Sequence, residues 1–507
     1  MKRCESGRID VQPNVLIPAA LLGNMLYLQA ALPCQNLSIT RQQVLIGATI
    51  CATMPDEGGL LGEYRLTGDS IVIMANARAF GRLCRQRFMS IMTGAALAVI
   101  APALSLAADL EAPAPEPGLF DQKYLTGNWG GARDQLYAHG FIFDIELTQF
   151  YQGLMSGSGS KDAEYGGKAD YIMYFIGDLV GVKGLTIALH GETRFGNDVN
   201  ALAPFAPPNV NMLYPEPGVQ SSYLTQWLIS QQITDDGWSV IGGKLNGIDL
   251  MDTTFHTGRG IDKFMNTALV LPLGFARTTN LSIMGAGVMK LNGRETEGAL
   301  LFYDTNNSSF SNGFDDLFDD GFVALGLWRF FYDMGGLPGN STVFGNYSTK
   351  TFTDIDPNSF VYYPGIGLFP SEIEGSWSAG YAFDQVLWAD ADNAKRKVGL
   401  SGQFTVTDGN PNPIKWTAAV ALEVNGIASR DDDSIGVGFF YNGLSDSFVD
   451  LAAAVDIELE DLSGLEVYYR MQFAPWWSVT ADLQVIDTTV VAADTEIIGA
   501  IRSNIKF

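Results

Sequence analysis

No cysteine follows Cys84: all four (Cys4, Cys34, Cys51 and Cys84) precede residue 85. The thiol-free remainder excludes a disulfide scaffold there. It suits a chain that crosses an oxidising compartment without forming wrong disulfides. Charge is also sparse, at 17% of residues, below the usual quarter. Basic residues are scarcer still, 31 Lys and Arg against 56 Asp and Glu, for a net charge of −25. Nucleic acid is thereby excluded as a partner, because phosphate attraction needs a basic footprint. The three histidines (His139, His190 and His256) show no zinc spacing such as H-E-x-x-H,. No G-x-S-x-G follows residue 107, and no P-loop is present,. No apolar run is long enough for a comfortable membrane-spanning helix. The expectation is a protein that is not an enzyme and carries no cofactor and no metal.

Aromatic residues and glycine are plentiful: 30 Phe, 19 Tyr, 9 Trp and 56 Gly. They accompany alternation. At the chain's end Ile497, Gly499, Ile501, Ser503, Ile505 and Phe507 share one parity. Glu496, Ala500, Arg502, Asn504 and Lys506 share the other, with Ile498 the exception. Period two marks a strand with one greasy and one wet face. Strand-like segments recur at 141–150, 171–179, 185–195, 223–232, 238–245, 281–289, 299–303 and 322–331. They continue at 380–388, 398–406, 416–424, 435–441, 448–457, 465–473, 477–486 and 497–507. Long irregular stretches (197–222, 304–321 and 335–376) separate tight turns. Short turns on one side and long loops on the other are the pattern of an all-β, transmembrane antiparallel β-barrel, here of about sixteen strands. An even count brings both ends to the periplasmic side. Trp476 and Trp477 beside a turn fit the aromatic belt at a membrane interface,. The aromatic Phe507 closing the last strand resembles the closing strand of bacterial outer-membrane proteins, which implies recognition by the barrel assembly machinery.

The start of the chain reads differently. Arg78, Arg82, Arg85 and Arg87 precede an apolar, alanine-rich stretch, 91–104, and the small residues Ser105 and Ala107 follow it. Positive, apolar, small-x-small is the anatomy of a secretory signal peptide. The spacing places the signal at 74–107, with cleavage between Ala107 and Ala108. Residues 1–73 then read as a start-site artefact, translation beginning at Met74, or as an extension. Residues 108–127 read as a linker, proline-rich over 111–118. Residues 128–140 form a short periplasmic helix, capped by Asn128 and ended by Gly140, and 141–507 form the barrel. The part after residue 107 retains strong acidity, which keeps an unfolded chain soluble in transit.

Three blocks resemble the carbohydrate-selective porins of the OprB family. They are 128–153 (NWGGARDQLYAHGFIFDIELTQFYQG), 426–446 (GIASRDDDSIGVGFFYNGLSD) and 464–484 (GLEVYYRMQFAPWWSVTADLQ). Asp384-Gln385 is a weaker fourth match, and Asn246 stands where the family commonly carries an acid after G-K-L. The resemblance implies a sixteen-stranded barrel in the outer-membrane lipid of a Gram-negative cell and passive uptake of sugars, chiefly monosaccharides such as glucose. A homotrimer is a further expectation. The alternatives are a general porin, a barrel enzyme acting on lipid, and a structural or adhesive β-protein.

A pore that favours uncharged, hydroxyl-rich solutes needs paired donors and acceptors plus aromatic faces. Arg and Glu supply these while offsetting each other's charge. In 185–195 (LTIALHGETRF), Leu185, Ile187 and Leu189 are expected to face lipid, and His190, Glu192 and Arg194 the lumen. Glu466, Tyr468 and Arg470 form a second set on the penultimate hairpin. Lys244 and Arg259 are weaker candidates, since Lys244 shares parity with Trp238 and Val240. The alternative is a constriction made by an inward-folded loop, with these residues as ordinary hydrated wall. The acidic run 313–321 (Asp315, Asp316, Asp319, Asp320) lacks EF-hand spacing and reads as a solvated loop,.

Overall fold

Alternation becomes wall in the structure, a computed structural model that describes residues 118–216, 219–250, 258–293, 295–364 and 367–507. The expected signal at 74–107, the segment 1–73 and the first half of the linker, 108–117, lie outside the described residues. The first strands are β1 (Phe141–Ser156), β2 (Ala163–Ile176), β3 (Leu185–Gly196), β4 (Ser221–Gln232), β5 (Trp238–Asn246) and β6 (Ser282–Asn292). β7 (Glu295–Asp304), β8 (Phe322–Met334) and β9 (Leu337–Thr353) follow. A loop hairpin contributes β10 (Val361–Tyr363) and β11 (Gly367–Phe369). The wall resumes with β12 (Glu372–Ala389), β13 (Lys397–Thr407), β14 (Ile414–Ile427) and β15 (Arg430–Leu444). It ends with β16 (Leu462–Ala474), β17 (Trp477–Asp487) and β18 (Glu496–Lys506). Among the described residues, sixteen strands, all but β10 and β11, pair in sequence order into one closed antiparallel barrel, with β18 returning to β1. No helix among the described residues is long and apolar enough to cross a membrane.

Register fixes which face is which. Thr148 pairs with Lys168, Lys168 with Arg194, and His190 with Gln226, so these polar residues share the inner face. Their neighbours Tyr151, Ile229 and Ile501 stand exposed on the outside. Ile498, the exception in the C-terminal alternation, is an inner residue paired with Leu154 and buried in an apolar cluster with it.

Two expected elements differ. Residues 448–457, read as a strand, lie in a loop that holds a short helix, Asp446–Ala453, capped by the Ser445 side chain accepting from Phe448 N. Residues 335–376, read as irregular, contain β9. Its outer face is thin in apolar residues (Val343, Gly345, Tyr347) and its inner face mixes Thr342, Asn346 and Ser348 with Phe344 and Phe352, so hydropathy hid the alternation. The two errors cancelled in the strand count. The helix at the start, α1 (Ala132–Ala138), follows a tight turn at Trp129–Gly131. Asn128 makes no side-chain cap; its Nδ2 donates to Asp134 Oδ2 at 2.6 Å. Gly140 ends the segment at φ 87°, where a Cβ would also meet Ile176 O.

The wall at β5–β8 carries its own apolar cluster. Ile241, Leu245, Ile283, Leu301, Tyr303 and Val323 pack together on its inner side and exclude water from that corner. Gly285 and Gly287 leave the room they need: a Cβ on Gly287 would stand 2.2 Å from Leu300 O and 2.9 Å from Leu301 Cα. Gly287→Val is therefore expected to cost about 1–3 kcal/mol by overpacking. Heat-dependent gel mobility of the folded barrel measures this as a lower unfolding temperature.

Candidate functional site: an inner wall holding two folded-in loops

Short turns (335–336, 428–429, 475–476) and α1 mark one end of the barrel, and long loops the other. Two of those loops turn inward over their described residues, 197–216 with 219–220 and 247–250 with 258–281. A loop inside a barrel brings backbone groups with no ladder to join, and the inner wall must satisfy them. Arg502 of β18 donates to Gly260 O at 2.8 Å and Lys263 O at 2.7 Å. Glu466 of β16 accepts from the N–H groups of Met265 (2.6 Å) and Asn266 (2.8 Å). Gln403 of β13 donates to Ala268 O at 3.2 Å, and Ser378 of β12 to Gly274 O at 2.9 Å. The second loop is held by Arg194, whose Nε donates to Met212 O at 2.8 Å and Nη1 to Val219 O at 2.9 Å while Nη2 meets Asp198. The loops also bond each other, Val210 N to Met265 O at 2.9 Å.

Apolar contacts complete the seat. Phe264 meets the Tyr468 ring edge-on with centroids 5.0 Å apart, and Tyr468 Oη donates to Glu423 Oε2 at 2.6 Å. Gly438 is required beneath them, since a Cβ there would lie 2.8 Å from Leu269 and 2.9 Å from Phe264.

A buried ionic network fastens the start of the 247–281 loop. His190 sits between two carboxylates, its Nδ1 2.6 Å from Asp249 Oδ2 and its Nε2 2.9 Å from Asp170 Oδ1. Arg259 bridges the same pair, Nη2 to Asp170 at 2.9 Å and Nε to Asp249 at 3.0 Å. Lys168 closes on Glu192, which also accepts from Asn246 Nδ2 at 3.2 Å. Burial pushes the Asp249 carboxyl up, but the charges of Arg259 and His190 outweigh it, and the group sits below the ordinary carboxylate range,. Asp170, His190 and Glu192 could present three ligand atoms to a metal ion. Lys168 and Arg259 already balance the Glu192 and Asp170 carboxylates with positive charge, and Asp170 Oδ2 is left without a partner.

Of the six residues singled out from sequence, His190, Glu192 and Arg194 are buried on the inner wall against the loops, as are Glu466 and Tyr468. Arg470 is brought elsewhere, into a cavity of about 560 Å³ at the turn end. Opposite charges line it in pairs: Arg470 with Asp262 at 3.7 Å, Lys506 with Glu146 at 3.5 Å, and Lys395 with Asp432 at 2.6 Å. Phe120, Phe473 and Trp476 add aromatic surface. Glu146 and Lys506 had a signal in the sequence, since both lie on the wet parity of their strands; Asp262, in an aperiodic loop, had none. Lys244 lies on the outer face beside Trp227 and Met284, where its Nζ donates to Leu224 O (2.9 Å) and Ser311 O (2.8 Å) beneath the 305–321 loop.

The family profile described as carbohydrate-selective porin, OprB family, matches residues 176–507. No curated protein matches the chain. Among solved structures, the chain is similar to the high-pH structure of Pseudomonas putida OprB, at 20% identity and TM-score 0.66, over 76% of this chain and 99% of that one. The low-pH structure of the same protein gives 16% identity and TM-score 0.48 over the same shares.

Glu466→Ala removes both acceptor oxygens and strands two loop N–H groups. The loss is expected to be about 2–4 kcal/mol of stability, with a larger and noisier single-channel conductance as the loop leaves the wall. Planar-bilayer recording at fixed salt checks the second effect.

Proposed function

Because the chain belongs to the carbohydrate-selective porins of the OprB family, and is thus an outer-membrane carbohydrate porin, we propose that the charge-paired cavity at the turn end is where sugars are screened. The supporting observation is the lining itself: three cation–carboxylate pairs beside aromatic rings, in a volume of about 560 Å³. That volume falls within the roughly 300–1,000 Å³ of small-molecule sites. Each pair offers donors and acceptors to hydroxyls, and neither sign dominates enough to hold an ion. Aromatic faces receive the C–H side of a sugar ring. Monosaccharides such as glucose fit this lining, and their own gradient drives passage. His190, Glu192, Arg194, Glu466 and Tyr468 contribute indirectly in this reading: by seating the two loops they set the width of the passage, and Arg470 meets the solute.

The reading extends to the chain's route and company. The basic, apolar, small-x-small order of 78–107 supports export by a signal peptide. The exposed aromatic and aliphatic outer wall, Tyr151, Val420 and Phe439 among it, supports lipid contact and leaves surface for association of three copies. Phe507 at the end of β18 supports handling by the barrel assembly machinery.

Arg470→Ala is expected to slow glucose entry several-fold in liposome swelling and to narrow the difference between glucose and a charged solute of similar size. Equal wild-type rates for the two solutes would leave a general porin; an unchanged rate in the variant would remove Arg470 from the passage. Mass spectrometry of the mature protein is expected to find Ala108 as its first residue.

A further inference from the structure

The join between β1 and β18 is incomplete at the turn end. Their ladder stops at Glu146↔Lys506, whereas β1 begins at Phe141 and over 141–145 pairs only with β2. The carbonyls of Phe143 and Ile145 are left on an open sheet edge, a place where unpaired backbone is costly and sticky. Both are satisfied by groups outside the ladder. Phe507 N donates to Ile145 O at 2.8 Å. Arg133 Nη1 donates to Phe143 O at 2.8 Å, and its Nη2 donates to the backbone oxygen of Phe507. One guanidinium thus spans the two strands.

That guanidinium is fixed in place. Its carbon lies 3.9 Å from the Tyr124 ring centroid and 4.1 Å from that of Trp129, so it is held by two aromatic faces,. Tyr124 Oη in turn donates to Asp144 Oδ1 of β1 at 2.7 Å. The rest of the segment grips the other side of the join. Leu125 N donates to Lys506 O at 2.8 Å, and Trp476 Nε1 to Leu119 O at 2.8 Å. The rings of Phe120 and Trp476 lie 6.3 Å apart, nearly parallel.

We infer that residues 118–139 are a seam lock: a clasp that engages only after β1 and β18 have paired, and that sets the rate at which the barrel reopens. The order follows from geometry. Arg133 and Phe507 are 374 positions apart in the chain, and the backbone oxygens Arg133 bridges stand side by side only when the last strand has met the first. Before closure the clasp has one partner and little to repay its ordering. Contacts absent from the folding transition state act on unfolding rather than folding. Glycines at 127, 130, 131 and 140, all with positive φ, let this short segment fold back on the seam.

The test uses the mature full chain inserted in phospholipid vesicles, with folding and unfolding followed by gel mobility after denaturant jumps. Arg133→Ala is expected to fold at a rate within about twofold of wild type and to unfold about tenfold faster or more. Arg133→Lys should stay close to Ala, because it keeps the charge but loses the planar two-donor fork between the rings. Tyr124→Leu should accelerate unfolding less than Arg133→Ala. Lys183→Ala, which removes an exposed ion pair with Asp235 at another turn of the same end, should change neither rate. Wild-type unfolding in Arg133→Ala overturns the inference. So does a failure of that variant to fold, since a lock that forms after closure is not needed for closing.

Discussion

A sheet in hydrocarbon has no water to bond its edges, so every backbone N–H and C=O must be paired within the chain. Closure is the only way a sheet meets that demand, and the pairing of β18 with β1 is where this molecule meets it. The even strand count, the placement of both strand ends on one side, and the division of each strand into an outer and an inner face follow from that single join. Nothing about solute passage can be arranged until it is made.

Closure creates an interior, and the interior has its own hydrogen-bond problem. A loop folded into the lumen lacks sheet partners, so the wall must supply them. This explains why so many of the inner polar residues are fully buried. Arg194, Glu466 and Arg502 aim at loop backbone, and Gln403 and Ser378 do the same on the far wall. His190 and Arg259 answer carboxylates on both sides of the same junction. Charge is spent on architecture first, which is why a chain with only 17% charged residues can still concentrate so many on its inner surface.

The wall was legible in sequence because its signal is local: period two survives in any strand whose outer face meets lipid. It failed where the outer face is thin, as in β9 with Val343, Gly345 and Tyr347, and where a loop helix mimics a strand, as around Phe448. Inner parity was legible too, so His190, Glu192, Arg194, Glu466, Tyr468 and Arg470 could be picked out together. What separates Arg470 from the other five is the path of the two loops, which bury the five and leave Arg470 at an open cavity beside Asp262. That path is written in no periodicity. It depends on Gly438 leaving space for Phe264 and Leu269, and on backbone groups whose partners lie up to 242 positions away. Asp262, which meets Arg470, was unreadable for the same reason.

The two sides of the inner wall are then unlike. At β5–β8 the inner surface is apolar and packed on itself, with Ile241, Leu301 and Tyr303 closing a corner to water. In the proposed reading the solute keeps to the polar side, where Glu146, Asp262 and Asp432 meet Arg470, Lys506 and Lys395. The whole chain carries a charge of −25, yet this lining is nearly balanced. A balanced lining has a weak long-range field and strong short-range dipoles. Ions gain little there to offset their lost hydration, while a hydroxyl-bearing neutral solute exchanges water for donors and acceptors at similar distance. Permeation also requires that the solute leave, so contacts that are individually modest and come in exchangeable pairs serve flux better than one tight site. Selectivity in such a passage comes from which water molecules can be replaced at low cost, and that is decided by the pairing of charges across the lining rather than by their number.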